Sequence, residues 1–202
     1  MKKLIIIPVL TILLFAGCRS TKPVQNNFFL LELPSATMED SQMRIRTLDA
    51  TLELRKVEVA PPYASHQIAI REDTHRIRYF SFNEWAHRPD LSLTNMTLSL
   101  LEKHRPFRQI ITGRLRETPD YTLNTKVHRL EVLHMDEAFE ANLVVEFVLL
   151  ETATETPLAR HRDDRTKSLE ENSLNLFAAA VSEIYAEELV VFLTLAMKEL
   201  VD

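Results

Sequence analysis

Apolar and polar residues alternate along much of the chain, and this two-residue period is typical of half-buried β-strands. The alternation is clearest in residues 51–60, where charged side chains separate Leu52, Leu54, Val57 and Val59. A phase slip at residues 55–56 indicates a bulge. Further strands are predicted at residues 28–34, 67–72, 76–82, 107–112, 122–133 and 139–153. The last of these is the most apolar, so we expect it to be central in the sheet.

Two segments change to the three-and-four spacing of an amphipathic helix. The first contains Leu93, Met96 and Leu100, with Asp90 or Ser92 as N-cap and Pro106 as the stop. The second is long and begins at residue 170. Its buried face is predicted to carry Leu174, Ala178, Val181, Tyr185, Leu189, Phe192 and Ala196.

The long helix is apolar nearly all round at residues 189–197. This stretch falls short of the roughly 20 apolar residues that span a bilayer. We therefore expect its outer side to meet further protein, in this chain or in a partner. Leu189 and Phe192 are candidates for that contact.

Strands followed by a helix, twice over, predict an α+β fold. We expect a mostly antiparallel sheet with two helices packed on it, the second long and C-terminal, forming one domain over residues 28–202. Residues 157–168 include the charged sequence HRDDR at 161–165. It could in principle bind a cation or phosphate, but an edge strand or solvated loop with local ion pairs is favoured.

The N-terminus predicts export. Two lysines precede an apolar run over residues 4–15 and the small residues Ala16 and Gly17, which is the pattern of a signal peptide at residues 1–17. Residues 15–18, Phe-Ala-Gly-Cys, resemble a bacterial lipobox, with Phe15 where leucine is usual. A buried core cysteine is the alternative for Cys18.

The lipobox resemblance implies that Cys18 is acylated and that residues 18–27 form a lipidated tether. Several acyl chains on one residue give a stable membrane anchor. The residue after the cysteine is Arg19 and not aspartate, and by the same resemblance this implies sorting to the periplasmic face of the outer membrane.

Composition narrows the function further. The net charge of −5 falls to −7 when the two lysines leave with the signal, which disfavours a nucleic-acid partner. The two glycines, Gly17 and Gly113, cannot form a glycine-rich phosphate loop, so any ATP hydrolysis belongs to another chain.

The sequence offers no catalytic or metal-binding constellation. His128 and His134 share a face of a predicted strand but lie about 20 Å apart, too far for one metal. Metal-binding histidine motifs and a serine nucleophile elbow are absent from the sequence. We expect no metal, no cofactor and no enzymatic activity; a lipid or cell-wall hydrolase would need a reactive group that the sequence does not reveal.

Two aromatic residues are candidates for partner binding. Tyr63 follows Pro61 and Pro62, two further candidates for partner binding, in a predicted connection, and Trp85 lies among charged residues. Amphipathic aromatic side chains often anchor interfaces. The alternative is that both cap the core between helix and sheet.

These segments resemble the ABC-type transport auxiliary lipoprotein family. The likeness spans nearly all of the chain after the signal and is strongest over residues 57–89. Besides Cys18 and a first strand at residues 29–34, the matching positions are Pro61, Tyr63, Gln67, Ile68, Arg71, Tyr79, Trp85 and Pro89. The sequence AHRPDL at residues 86–91 and the scarcity of glycine depart from the family's pattern.

The resemblance implies a non-enzymatic lipoprotein that serves an ABC transport system. Its partners would be an MCE (mammalian cell entry) domain protein and, through it, a permease and an ATPase that move phospholipids or other hydrophobic molecules between two membranes. Homo-oligomerisation remains open. The alternative function is an envelope-assembly lipoprotein that scaffolds or activates a cell-wall or lipopolysaccharide machine.

Overall fold

The computed structural model describes residues 25–34, 46–113, 118–135 and 138–201. Cys18, the predicted signal peptide and most of the predicted tether lie outside these ranges. Within them, the chain forms nine strands and two helices. The strands are β1 Asn27–Phe29, β2 Leu48–Leu54, β3 Glu58–Val59, β4 Gln67–Asp73, β5 Arg76–Trp85, β6 Phe107–Thr112, β7 Tyr121–Met135, β8 Ala138–Glu151 and β9 Thr156–Ser168. The helices are α1 Pro89–His104 and α2 Leu174–Val201.

All nine strands belong to one sheet organised around β7. One side of β7 pairs with β4, β2 and β3, and the other pairs with β8. From β4 the sheet continues through β5 to β1, from β2 to β6, and from β8 to β9. The break between β2 and β3 falls at the bulge that the alternation predicts.

The fold class is confirmed as α+β with two helices, the second long and C-terminal. The sheet, however, is mixed. The β4–β5, β7–β8 and β8–β9 pairs are antiparallel, whereas β1–β5, β2–β6, β2–β7, β3–β7 and β4–β7 are parallel. Parallel neighbours require long connections, and here α1 and the β4–β5 hairpin lie between β2 and β6.

The core lies between α2 and the sheet. Phe147 of β8 stacks on Phe192 with ring centroids 5.4 Å apart and contacts Tyr185 at 5.6 Å. The Tyr185 hydroxyl shares a buried 2.7 Å hydrogen bond with Thr97, which joins α2 to α1. Strand β8 is buried on both faces over much of its length, as its continuous apolar sequence predicts.

Helix α1 begins two residues earlier than an Asp90 N-cap would indicate. Arg88 is the N-cap, Pro89 takes the first helical position, and Asp90 lies inside the first turn. The helix ends at Arg105 in the left-handed conformation, directly before Pro106.

Candidate partner-binding surface

Pro61–Tyr63 form a single 3-10 turn on the surface, which we call the proline turn. The amide of Ala60 donates to the Val127 carbonyl oxygen at 2.9 Å, and the amide of Tyr63 donates to the Ala60 carbonyl oxygen at 2.9 Å. Pro61 and Pro62 are exposed, whereas Tyr63 is buried. The turn therefore presents two rigid rings above an aromatic side chain that points inward.

Beneath the proline turn lies a buried network of Tyr63, Arg71 and Glu131. The Tyr63 hydroxyl donates to Glu131 Oε2 at 2.6 Å. Arg71 donates from Nε to Oε1 at 2.6 Å and from Nη2 to Oε2 at 3.0 Å. Its Nη1 reaches the Thr74 carbonyl oxygen at 3.0 Å. The Glu131 side chain is 0% exposed, so its charge is neutralised by partners and not by water.

Burial and the contacts with Glu131 keep Tyr63 and Arg71 of this network protonated near neutral pH. Burial, with the hydrogen bond to Glu131, raises the pKa of Tyr63 to about 12. The hydrogen bonds that Arg71 donates to Glu131 raise the pKa of Arg71. Tyr63 therefore remains a hydrogen-bond donor and Arg71 a cation.

Strand β5 contacts the connection that carries the proline turn at two points. The Tyr79 hydroxyl of β5 donates to the Pro62 carbonyl oxygen at 3.1 Å. Further along, the Trp85 amide donates to the His66 carbonyl oxygen at 2.7 Å, and His66 Nδ1 lies 2.9 Å from the Trp85 carbonyl oxygen. The buried network and strand β5 together fix the position of the proline turn.

A groove of about 1100 Å³ opens beside this connection, between the start of α1 and strands β2, β3, β7, β8 and β9. Asp90 in its wall contacts Lys56 at 2.6 Å and Arg88 at 2.9 Å. Burial acts to raise the pKa of Asp90, but the two cations outweigh it and lower that pKa. Glu146 is likewise held by Arg160 and His128. The groove is lined by charges that largely pair with each other.

Across the described ranges, no group of three or more His, Cys, Asp or Glu side chains could hold a metal ion. In the same residues, neither helix is long and apolar enough to cross a membrane.

Four of the six predicted partner-binding residues have buried side chains: Tyr63, Trp85, Leu189 and Phe192. Trp85 packs on Phe177 of α2 with ring centroids 5.7 Å apart, and Leu189 and Phe192 lie within the core. The prediction of direct contact through these side chains needs correction, because helix and sheet already cover them. Of the six, only Pro61 and Pro62 are exposed.

The outer side of α2 does remain open. Val191 and Leu195 are large, exposed apolar residues on this helix. They, and not Leu189 or Phe192, are the apolar positions of the 189–197 stretch that are available to further protein.

The HRDDR sequence forms part of edge strand β9, one of the two structures predicted for it. Its charges are used within the protein. His161 Nε2 lies 2.7 Å from Glu188 of α2, and Arg165 also contacts that carboxylate. Glu188 is buried, so these side chains join the edge strand to the helix.

Sequence reasoning missed Glu131 and the exposed aromatic residues of the β1–β5 edge. Glu131 interrupts an apolar run between Leu130 and Val132, and an acid in that position was the available signal. Phe28 and Phe82 were assigned to strands without regard to which face they occupy, because the pairing register was unknown.

A family model described as "ABC-type transport auxiliary lipoprotein component" matches residues 29–189. The fold is similar to the crystal structure of a Xanthomonas campestris protein of family DUF330, with a TM-score of 0.69 at 15% identity, covering 86% of this chain and 96% of that one. A crystal structure of an uncharacterized protein is similar at a TM-score of 0.64 and 14% identity, covering 84% of this chain and 97% of that one. Among proteins of curated function, none matches this sequence.

Proposed function

Because the chain belongs to the ABC-type transport auxiliary lipoprotein family, we propose that it is a lipid-anchored, non-catalytic component that docks a transport complex through the proline turn. Cys18 carries the anchor, residues 18–27 form the tether and residues 28–202 form the docking domain. The system moves phospholipids or other hydrophobic molecules between two membranes. The chain lies at the periplasmic face of the outer membrane. Its direct partner is an MCE-domain protein, which links it to the permease and ATPase.

The observation that carries this proposal is the buried network under the proline turn. A buried ion pair contributes little net stability compared with apolar packing of the same volume. Here the Arg71–Glu131 pair and the Tyr63 hydroxyl hold a surface turn in one shape. A partner that binds a rigid turn loses little conformational entropy on binding. The arrangement suits recognition better than it suits stability.

Anchoring makes a small docking site sufficient. A domain held at a membrane has a high effective concentration for a partner in the same envelope, so modest contacts give stable association. Pro61 and Pro62 with neighbouring Ser65 and Gln67, all exposed, supply such a site.

Acylation of Cys18 is tested by mass spectrometry of the N-terminal peptide from envelope-purified protein. We expect a peptide beginning at Cys18 with the added mass of its acyl chains. A Cys18→Ser variant should lack that mass and leave the membrane fraction. An unmodified Cys18 in membrane-bound protein would overturn the anchor assignment.

The docking site is tested by placing a photoreactive benzoylphenylalanine at position 62 of the full-length protein. The control carries it at Arg162, which is also exposed but lies on β9 at the far edge of the sheet. Crosslinking to an MCE-domain protein from position 62 and not from position 162 supports the proposal. Equal crosslinking from both, or from position 162 alone, refutes the proline turn as the docking site.

A further inference from the structure

We propose that the β1–β5 edge of the domain lies on the phospholipid surface that holds the anchor, with Phe28, Leu30 and Phe82 in the lipid interface. We call these three residues the aromatic edge. The inference deepens the proposed function, because it rests on acylation of Cys18 and adds how the anchored domain is oriented.

The three side chains of the aromatic edge are large and apolar, yet each is about half exposed or more. Phe28 is 62% exposed, Phe82 is 49% exposed and Leu30 is 47% exposed. Leaving large apolar side chains in water is unfavourable in proportion to their exposed area. Clusters of this kind mark contact with a protein or a membrane.

Strand register places the two phenylalanines on one face. β1 pairs in parallel with β5, with Phe28 opposite Glu84 and Phe29 opposite Trp85. Phe82 precedes Glu84 by two residues, so it projects to the same face as Glu84 and Phe28. Phe29 and Trp85 take the other face and pack toward the core.

The position of the aromatic edge along the chain identifies the occupant. Phe28 follows Cys18 by ten residues, and ten extended residues span at most about 36 Å. No other part of the described domain, apart from residues 25–27, has a shorter chain connection to the anchor. Aromatic side chains favour the boundary between lipid headgroups and hydrocarbon. The tether thus holds the aromatic edge within reach of the lipid surface that carries the anchor.

Another exposed apolar surface serves for comparison. Val191 and Leu195 lie on α2, more than 160 residues from Cys18 along the chain. Their distance from Cys18 along the chain means that the tether does not hold them close to the lipid surface, as it holds Phe28. They serve as the matched control.

Quenching of tryptophan fluorescence by brominated phosphatidylcholine tests the inference on lipidated full-length protein reconstituted in vesicles. Trp85, the only tryptophan, is buried and gives a constant background. Tryptophan is introduced singly as Phe28→Trp or Phe82→Trp, and as Val191→Trp, whose native residue is 43% exposed. An unchanged urea midpoint verifies the fold of each variant.

We expect the emission added by Phe28→Trp and by Phe82→Trp to fall by roughly half or more when brominated lipid replaces ordinary lipid, because interfacial aromatics lie close to the acyl chains. The emission added by Val191→Trp should stay unchanged. Unquenched emission at positions 28 and 82 overturns the inference, and a blue shift there would indicate that a second copy or another protein segment covers the edge. Equal quenching at position 191 overturns it as well.

Flotation of the vesicles separates this inference from the proposed function. Protein that floats but shows no quenching at positions 28 and 82 retains its anchor but does not place the aromatic edge on the lipid. In that case only this inference falls. Protein that fails to float lacks the anchor, and then both proposals fall.

Discussion

Replacing Arg71 with methionine should destabilise the domain severely, because it leaves the Glu131 carboxylate buried without a cation. Methionine approximates the length of the aliphatic part of arginine and fills much of its space. Trimming the side chain at the sheet surface therefore contributes less to the loss than the stranded charge does.

The geometry sets the magnitude. Glu131 accepts three hydrogen bonds in this network, two from Arg71 and one from Tyr63. Breaking a buried ion pair by removing one partner costs about 3–5 kcal/mol. The retained Tyr63 hydrogen bond offsets part of this, since hydrogen bonds to charged groups contribute about 1.5–3 kcal/mol. We expect a loss of about 3 kcal/mol, a large share of the roughly 5–15 kcal/mol typical of a folded domain.

Urea unfolding of the detergent-solubilised full-length protein measures this loss through the emission of Trp85. With an m-value of about 1–3 kcal/mol per molar urea, the midpoint should fall by roughly 1–3 M. The control is Arg108→Met, which breaks an exposed 2.8 Å pair with Asp49. Exposed pairs contribute about 0–1 kcal/mol, so this variant should remain close to the parent.

A second substitution tests the cause. Adding Glu131→Gln to Arg71→Met removes the stranded charge and keeps an acceptor for the Tyr63 hydroxyl. The double variant should therefore be more stable than Arg71→Met alone, although less stable than the parent. If it is equally or less stable, or if Arg71→Met behaves like Arg108→Met, the reasoning about the buried charge is wrong.

Three further predictions concern other parts of the domain. The fold lowers the pKa of Asp90. The stability that the domain gains from the Asp90–Lys56 pair is therefore present above the unfolded pKa of about 3.9 and is lost as the pH falls below that value. The melting temperature of an Asp90→Asn variant should decline less between about pH 5 and pH 3 than that of the parent. Phe192→Ala should cost about 3–5 kcal/mol in urea unfolding, because it removes the ring stacked on Phe147; a loss below about 1 kcal/mol would contradict the packing described. Gly113 has φ +91, and a Cβ there would meet no atom within 4 Å. Gly113→Ala should therefore lower the free energy of unfolding by about 1 kcal/mol through backbone strain alone. An unchanged urea midpoint would contradict this prediction.

Local periodicity predicted most of the elements, although not all of their ends. The continuous apolar run of β8 identified a strand buried on both faces, and the three-and-four spacing of α2 identified part of its buried face, including Val181 and Tyr185. The charges of β9 indicated an edge strand or a solvated loop, and the structure shows the edge strand. Each of these signals lies within one element, so neighbouring residues suffice to read it.

The mixed sheet could not be predicted in the same way. Whether β4 lies parallel to β7 depends on how the intervening hairpin, helix and strand return the chain, and no local pattern encodes that path. The same applies to Phe28 and Phe82, which form one exposed edge only because β1 aligns with β5 in the observed register.

The exposure of the candidate residues was predicted in part. Pro61 and Pro62 were correctly placed in a surface connection, but Tyr63 and Trp85 turned inward. An aromatic residue with a polar tip can serve either an interface or a buried network. For Tyr63 the choice is made by Glu131, which lies 68 residues away in sequence and 2.6 Å away in space.

Envelope crosslinking of the lipidated full-length protein, followed by mass spectrometry of what it captures, tests the central claim most directly. We expect recovery of an MCE-domain protein together with a permease and an ATPase, and loss of that recovery in the Cys18→Ser variant. Recovery of cell-wall or lipopolysaccharide assembly proteins without any ABC transport component would contradict the account and favour the envelope-assembly alternative.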